Sequence, residues 1–185
     1  DIGVAGLFHT DQGFGLWAAE SALLREVYSG TFVALCVVTL LGLAGAVFGR
    51  TAGISPQLWA FATLVPLIGP GLIVNALLKN HWGRARPYQI EAFGGERTFS
   101  LPFEIADQCT ANCSFVSGEG SSAAAVLVVL LGLFGHRVSG RAGHLLLWLS
   151  GGIWLGGAAL VRMVPGKHFL SDSLFAFLIV GLVGL

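Results

Sequence analysis

Three short stretches of this 185-residue sequence carry side chains that can bind and cleave a phosphate ester. The first begins at Lys79 and ends at Arg86-Pro87. Lysine offers a compact positive charge and arginine a planar fork, and both suit phosphate oxygens. If the helix before Lys79 continues for two more turns, Lys79 and Arg86 lie on one face and Pro87 ends the helix. A basic collar at the end of an apolar helix is the alternative interpretation.

The second stretch is Val116-Ser117-Gly118-Glu119. Ser117 is a suitable helix N-cap, and Gly118 lets a ligand approach the backbone where unpaired amides attract anions. Glu119 in the first turn has two interpretations. It either complements the helix dipole or, while it carries a proton, donates that proton to a leaving oxygen.

The third stretch runs from Arg162 to Asp172 and contains His168. If a helix begins near His168, Asp172 lies one turn later on the same face. A carboxylate that holds one imidazole nitrogen fixes the tautomer and leaves the other nitrogen free as a nucleophile. The Pro165-Gly166 pair predicts a turn that brings Arg162 back over the site.

The rest of the chain predicts the elements that position these residues. Hydrophobic residues make up 55% of the sequence and charged residues 11%, where a soluble domain carries roughly 25% charged residues. The mean hydropathy is +0.79 and the net charge is zero. These values exclude a soluble domain, a disordered chain and a nucleic-acid binder that relies on a basic surface. An integral membrane protein in a lipid bilayer remains.

Five apolar stretches could cross a bilayer, which takes about 20 residues. They are residues 31–49, 57–78, 117–135, 144–161 and 173–185. We therefore predict an all-α fold: a polytopic membrane helix bundle that forms a single domain over residues 1–185. The chain begins at Asp1 and stops inside an apolar run, so we expect it to be incomplete or processed, and a sixth span before residue 1 is left open.

Short basic connections predict the orientation of the bundle. Arg50 lies in one connection, and Arg137 and Arg141 lie in another, with two spans between them. The positive-inside rule places both in the cytoplasm. Three segments then face outward and form the active site and its surroundings: 1–30, 79–116 and 162–172. Within the first, an amphipathic pattern around 18–28 predicts an interfacial helix.

Cys109 and Cys113 lie four positions apart in the polar 79–116 loop. If this loop faces an oxidising compartment, the two can form a disulfide. Two free thiols are the alternative.

Together the three stretches resemble the type 2 phosphatidic acid phosphatase superfamily. The matching pattern is Lys-x6-Arg-Pro, then Ser-Gly at a helix start, then Arg-x5-His-x3-Asp, in the family's order over residues 79–172. The resemblance implies that Lys79, Arg86 and Arg162 bind the phosphoryl oxygens, helped by the backbone amides of Ser117 and Gly118.

The resemblance also implies a phosphohistidine mechanism without metal or cofactor. His168 would attack phosphorus, Asp172 would orient it, and water would hydrolyse the product. Two positions depart from the family. Glu119 stands where the family has the histidine that protonates the leaving group, so Glu119 is either a substitute acid or the mark of a weakened enzyme. Val161 stands where the family has a serine before Arg162.

The predicted function is a lipid phosphatase of the bacterial inner membrane with its active site facing the periplasm. Its partner is a phosphorylated membrane lipid: a phosphatidate-type lipid, a polyprenyl diphosphate or a lipid A phosphate. Two alternatives stay open, a lipid phosphotransferase and a non-catalytic membrane subunit that keeps the fold. A metal site is disfavoured because the three cations would repel the ion. The sequence names no protein partner.

Overall fold

The computed structural model describes residues 1–15, 18–49 and 53–185. Within these ranges the chain is helical and contains no strand, only two isolated bridges. Its helices are α1 (Ile2–Gly6), α2 (Ala18–Val47), α3 (Pro56–His81), α4 (Gly118–Phe134), α5 (Gly140–Met163) and α6 (Leu170–Val183). Helices α2 to α5 are long and apolar enough to cross a membrane, and α6 is a shorter apolar helix. The predicted all-α membrane bundle is confirmed.

Helix α4 lies at the centre of the bundle and packs against α2, α3, α5 and α6. Its buried face carries small residues, which let neighbouring helices approach closely. This face belongs to a core cluster of Ala62, Val65, Ala124, Ala125, Val129, Leu133 and Val180. The outer faces of the helices expose large apolar side chains such as Leu41, Trp148 and Ile153. Such a surface suits contact with lipid and gives the bundle its place in a bilayer.

Helix α2 corrects the prediction for the 1–30 segment. Residues 18–28 are not a separate interfacial helix, since they form the first turns of one continuous 30-residue helix. The apolar pattern of these residues runs into the span without a helix-breaking residue. At 1.5 Å per residue the helix is about 45 Å long, more than the ~30 Å hydrocarbon core. Its first turns therefore extend beyond the apolar layer and carry Arg25 toward the polar loops.

Helix α3 changes its hydrogen-bond register in the middle. Residues Leu67–Leu78 are π-helical. Pro66 and Pro70 lack backbone donors, and their rings interfere with the ordinary α-helical register. The side-chain amide of Asn75 donates to the carbonyl of Pro70 at 2.7 Å. The two prolines thus lie at a widened helical segment, where the side chain of Asn75 satisfies a backbone carbonyl.

Helix α3 ends at His81, so the condition under which Lys79 and Arg86 would share one helical face is not met. Gly83 follows with a φ of +69°. A Cβ on Gly83 would collide with the backbone carbonyl of Ala106, which crosses close to it. Only glycine satisfies both the positive φ and this contact. Lys79 therefore lies in the last turn of α3, and Arg86 is placed by the loop that follows the helix.

Five helix ends meet at one face of the bundle: the starts of α2, α4 and α6 and the ends of α3 and α5. The contact of Arg25 with Glu119 joins α2 to α4, and the contact of Glu119 with Arg162 joins α4 to α5. Arg137 and Arg141 lie at the other ends of α4 and α5. Arg50, the third residue behind the predicted orientation, lies outside the described residues.

Candidate active site

His168 lies between α5 and α6 and is fully buried. Its Nδ1 donates to the backbone carbonyl of Ser114 at 2.7 Å. Among the described residues its Nε2 has no hydrogen-bond partner. Burial lowers the pKa of His168, Lys79 and Arg162 act in the same direction, and Asp172 opposes them. The ring is therefore a neutral imidazole with a free lone pair on Nε2, which is the form a nucleophile needs.

Asp172 is also fully buried, at the third position of α6. Its Oδ2 accepts from the hydroxyl of Ser114 at 2.5 Å and from the amide of Phe169 at 2.8 Å. The same oxygen lies 3.6 Å from Nδ1 of His168, which is longer than a hydrogen bond. Because α6 begins at Leu170 and not at His168, the carboxylate orients the ring mainly through Ser114.

Arg84 completes this buried group; from the sequence, lining the site and resting at the membrane interface were both open for it. Its side chain is fully buried, and Nη1 donates to Asp172 Oδ1 at 2.5 Å and to Ser171 Oγ at 2.9 Å. Nη2 donates to Asp1 Oδ2 at 2.9 Å, and Nε donates to the carbonyl of Ser100 at 3.0 Å. A guanidinium with this many acceptors balances the buried charge of Asp172. Its only sequence signal is its position two residues before Arg86.

Asn112 joins two of the predicted phosphate-binding cations. Lys79 Nζ donates to Asn112 Oδ1 at 3.3 Å, and Arg86 Nη2 donates to the Asn112 carbonyl at 2.7 Å. Asn112 has a φ of +51°, a conformation that asparagine tolerates better than most residues. One loop residue therefore contacts both side chains and holds Arg86 near Lys79.

The loop that carries Asn112 is fixed on both sides. Cys109 and Cys113 form a disulfide across it. The amide of Cys113 donates to the carbonyl of Lys79 at 3.0 Å, and the amide of Ser114 donates to the carbonyl of Arg84 at 2.9 Å. These bonds hold residues 109–114 against the end of α3, beside the residues that carry the positive charge.

Ser117 is the N-cap of α4, as predicted. Its Oγ accepts the amide hydrogen of Gly120 at 3.1 Å, and its own amide donates to the carbonyl of Asp172 at 3.1 Å. The Ser117 amide is therefore already bonded, which corrects the expectation that it binds phosphate. Gly118 is needed for space, because a Cβ there would lie 3.2 Å from Lys79 Cε and 3.1 Å from Asn75 Oδ1.

Glu119 contacts two guanidinium groups. Its Oε1 accepts from Arg25 Nε at 2.9 Å, and its Oε2 lies 3.3 Å from Arg162 Nε. Arginine side chains are always charged, so these two contacts favour the ionised carboxylate. Arg25 is a second residue that the sequence analysis did not place here. A polar cleft of about 220 Å³ beside this group is lined by Ser29, Asn75, Lys79, Gly118, Glu119 and Ser122.

The turn after α5 brings its last residues back to His168. The amide of Gly166, with a φ of +65°, donates to the carbonyl of Met163, and the amides of Lys167 and His168 both donate to the carbonyl of Arg162. The turn predicted from Pro165-Gly166 is confirmed. Burial lowers the pKa of Lys167, whose ammonium lies 4.3 Å from the centre of the Tyr88 ring.

The three sequence stretches thus meet at one end of the bundle. Lys79 lies against Gly118, Glu119 contacts Arg162, and His168 bonds to the loop just before α4. Among the described residues, no three His, Cys, Asp or Glu side chains group in a way that could hold a metal ion.

The fold and the site define a class of protein: a bundle of apolar helices with a buried histidine beside arginine and lysine, one of whose ring nitrogens has no hydrogen-bond partner in the described chain. The chain belongs to the PAP2 superfamily, whose pattern matches residues 57–185. The resemblance drawn from the three motifs is confirmed.

Several curated relatives carry the name lipid A 4'-phosphatase. The protein of Francisella tularensis subsp. novicida is 37% identical over 145 residues, which cover 78% of this chain and 63% of the relative. The proteins of Rhizobium leguminosarum and Rhizobium etli are each 52% identical over 65 residues, which cover 35% of this chain and 28% and 25% of the relatives. The chain thus spans under two thirds of the length of these relatives. No solved structure matches it.

Proposed function

We propose that this protein is a membrane-embedded lipid phosphatase that works through a phosphohistidine at His168. One observation supports this most directly. The Nε2 of His168 is buried without a hydrogen-bond partner in the described chain, while Nδ1 is held by Ser114. A buried nitrogen normally finds a partner, and an exception marks a functional group. Here the exception belongs to the ring beside Lys79 and Arg162, whose charges act on it.

In the first step the Nε2 lone pair attacks phosphorus while the ester P–O bond breaks. The Nδ1–H remains bonded to the Ser114 carbonyl, and the positive charge on the phosphorylated ring is balanced by Asp172, 3.6 Å away. Lys79, Arg86 and Arg162 bind the phosphoryl oxygens and stabilise the charge that spreads over them in the transition state. The leaving oxygen departs with the bonding electron pair and takes a proton.

We assign that proton to water in the polar cleft. The predicted acid, Glu119, contacts two guanidinium groups and is favoured in its ionised form. In the second step water attacks the phosphohistidine, the P–N bond breaks, and its electron pair returns to Nε2. Inorganic phosphate leaves with the oxygen and one proton of that water. The other proton neutralises the hydroxide left by the first step, and His168 is again neutral.

The substrate we propose is the phosphate of an acylated sugar lipid of the lipid A type. Support comes from the similarity of this chain to proteins named lipid A 4'-phosphatase. We also propose the inner membrane, with the site facing the periplasm. Arg137 and Arg141 lie at the opposite ends of their helices, as the positive-inside rule requires. The Cys109–Cys113 disulfide suits an oxidising compartment.

The test uses the full chain purified in detergent micelles. It is offered a 1,4'-bisphosphorylated lipid A, phosphatidate and a polyprenyl diphosphate, and released phosphate is counted. We expect release from the first lipid and loss of turnover in His168→Ala. The matched control is His144→Ala, an exposed histidine near the start of α5, which should keep full activity. Normal turnover by His168→Ala would overturn the mechanism.

Acid-labile and base-stable radiolabelled phosphate on the protein after rapid quenching would identify the phosphohistidine. Transfer of that label to a second lipid instead of water would show a phosphotransferase. A wild-type protein that neither takes up label nor releases phosphate from any of these lipids would refute the enzyme and leave the non-catalytic subunit.

A further inference from the structure

Arg25 lies in the N-terminal part of the sequence, outside the three motifs. It is 94 residues from Glu119 in sequence, yet its Nε donates to Glu119 Oε1 at 2.9 Å. Nothing in the motif pattern requires this contact. It exists because α2 continues past the apolar layer and delivers its first turns to the face where α4 begins.

The contact leaves Arg25 able to bind a ligand. Only its Nε is used by Glu119, and its side chain keeps 45% of its surface exposed. Its terminal Nη1 has a weak contact with Glu26 at 3.4 Å. Ser29 lies one helical turn after Arg25 on the same face of α2 and lines the polar cleft with Lys79 and Glu119. Ser29 therefore belongs to the wall of the cleft, and Arg25 lies one turn away at its edge, in contact with the lining residue Glu119.

Glu119 also forms an ion pair with a second cation, without a hydrogen bond. Its other oxygen lies 3.3 Å from the Nε of Arg162, and only 13% of the Arg162 side chain is exposed. The carboxylate thus sets the separation of the two guanidinium groups, one deep in the site and one at its rim. A guanidinium that meets a carboxylate through Nε keeps its terminal nitrogens as donors that a phosphate oxygen can accept from.

We infer that Arg25 is a further substrate-binding residue, a fourth cation that binds the substrate phosphate at the rim of the cleft, and that Glu119 is the positioning residue for Arg25 and Arg162. This rests on the proposed function, because it names a second contact for the same phosphate. The class of ligand is a phosphomonoester dianion or inorganic phosphate, whose oxygens accept from guanidinium nitrogens. Arg25 binds it in the ground state and transition state alike, so its loss weakens binding more than turnover.

The experiment measures KM and kcat on the bisphosphorylated lipid and, separately, the Kd of inorganic phosphate by calorimetry. Arg25→Ala should raise both KM and the phosphate Kd about tenfold, the typical effect of losing one charge-assisted hydrogen bond. Its kcat should stay within about threefold. Arg25→Lys keeps the charge but loses the fork and should recover part of the loss.

The control is Arg97→Ala, which removes the same charge from an exposed position in the 79–116 loop. It should leave KM and the phosphate Kd within about twofold of wild type. The comparison then separates the loss of one binding contact from the general effect of removing a positive charge. Glu119→Gln affects both Arg25 and Arg162 and should raise the phosphate Kd at least as much as Arg25→Ala does. The double variant should be little worse than Glu119→Gln alone, because Arg25 is no longer positioned once Glu119 is changed.

Unchanged KM and phosphate Kd in Arg25→Ala, with a lowered unfolding temperature, would reduce the contact to a structural ion pair and overturn the inference. If Arg25→Ala does not fold, Arg25→Lys against wild type gives the same comparison. The phosphate titration needs no turnover. Wild-type protein that binds phosphate through Arg25 but releases none from lipid would refute the proposed function and leave this inference standing.

Discussion

The backbone carbonyl of Ser114 accepts the Nδ1–H of His168 at 2.7 Å across 54 residues of sequence. A carbonyl only accepts, so it selects the tautomer that carries its proton on Nδ1. The hydroxyl of the same serine donates to Asp172. Ser114 thus connects the two residues that the motif pattern pairs directly, and the orientation of the ring depends on the loop before α4 as much as on α6.

The state of His168 predicts how activity depends on pH. Protonation of Nε2 removes the nucleophile, so kcat/KM should fall as the pH drops through the pKa of His168. Burial, Lys79 and Arg162 lower that pKa and Asp172 opposes them. We therefore expect the acid limb below pH 6.5, the usual pKa of histidine.

The measurement is kcat/KM between pH 4.5 and 8.5 in micelles of constant composition. The substrate phosphate also ionises, with a pKa of about 6. Its titration is followed separately by phosphorus NMR and divided out. An acid limb centred above pH 6.5 after this correction would contradict the neutral, buried imidazole.

Loss of Arg84 should destabilise the fold. Arg84→Met would leave the buried carboxylate of Asp172 without its guanidinium partner and would remove a partner of Asp1. Breaking a buried ion pair on one side costs about 3–5 kcal/mol. The thermal unfolding temperature in detergent should fall by several degrees, while Arg97→Met should leave it unchanged. A stable Arg84→Met variant would show that Asp172 does not depend on Arg84.

Asn112 should control substrate affinity through Lys79 and Arg86. Asn112→Gly keeps access to the positive φ and the carbonyl that binds Arg86, but loses the oxygen that binds Lys79. Asn112→Ala also strains the backbone. We expect KM to rise a few-fold in the glycine variant and about tenfold in the alanine variant, with kcat changed less. Equal KM values in both variants and wild type would show that the loop does not set the cation positions.

Local patterns predicted much of this protein because its elements have local causes. Apolar length predicts the spans, and Ser117 before Gly118 predicts the start of α4. Residue types and order also identified His168, Asp172 and the three cations of the motifs. These features need only neighbours in sequence.

Contacts between distant segments were not predictable in the same way. The pattern around residues 18–28 fits an interfacial helix as well as the extension of a span, so Arg25 had no assigned place. The carbonyl of Ser114 is a backbone group and leaves no trace in residue type. Arg84 and Arg86 are of one residue type and lie two positions apart. Which of them is buried depends on the path of the loop after Gly83, and the distant carbonyl of Ala106 packs against that glycine.

Glu119 gives the sharpest distinction between a role taken from sequence position and a role taken from contacts. Its position in the motif predicts a general acid, whereas its contacts with Arg25 and Arg162 favour an ionised positioning residue. The two roles differ in how they depend on the leaving group. An alkyl or sugar oxygen needs a proton as it leaves, but a nitrophenolate does not.

Glu119→Gln removes both the proton and the charge. If Glu119 positions the arginines, kcat/KM for phosphate release should fall about tenfold or more. The factor should be the same for the lipid phosphate and for p-nitrophenyl phosphate. If Glu119 is the acid, the loss should be confined to the lipid. Glu96→Gln, the same change at an exposed carboxylate of the 79–116 loop, is the control and should alter neither rate. Full activity of Glu119→Gln on the nitrophenyl ester alone would restore the acid role, because a group that only positions the phosphate must act on every ester alike.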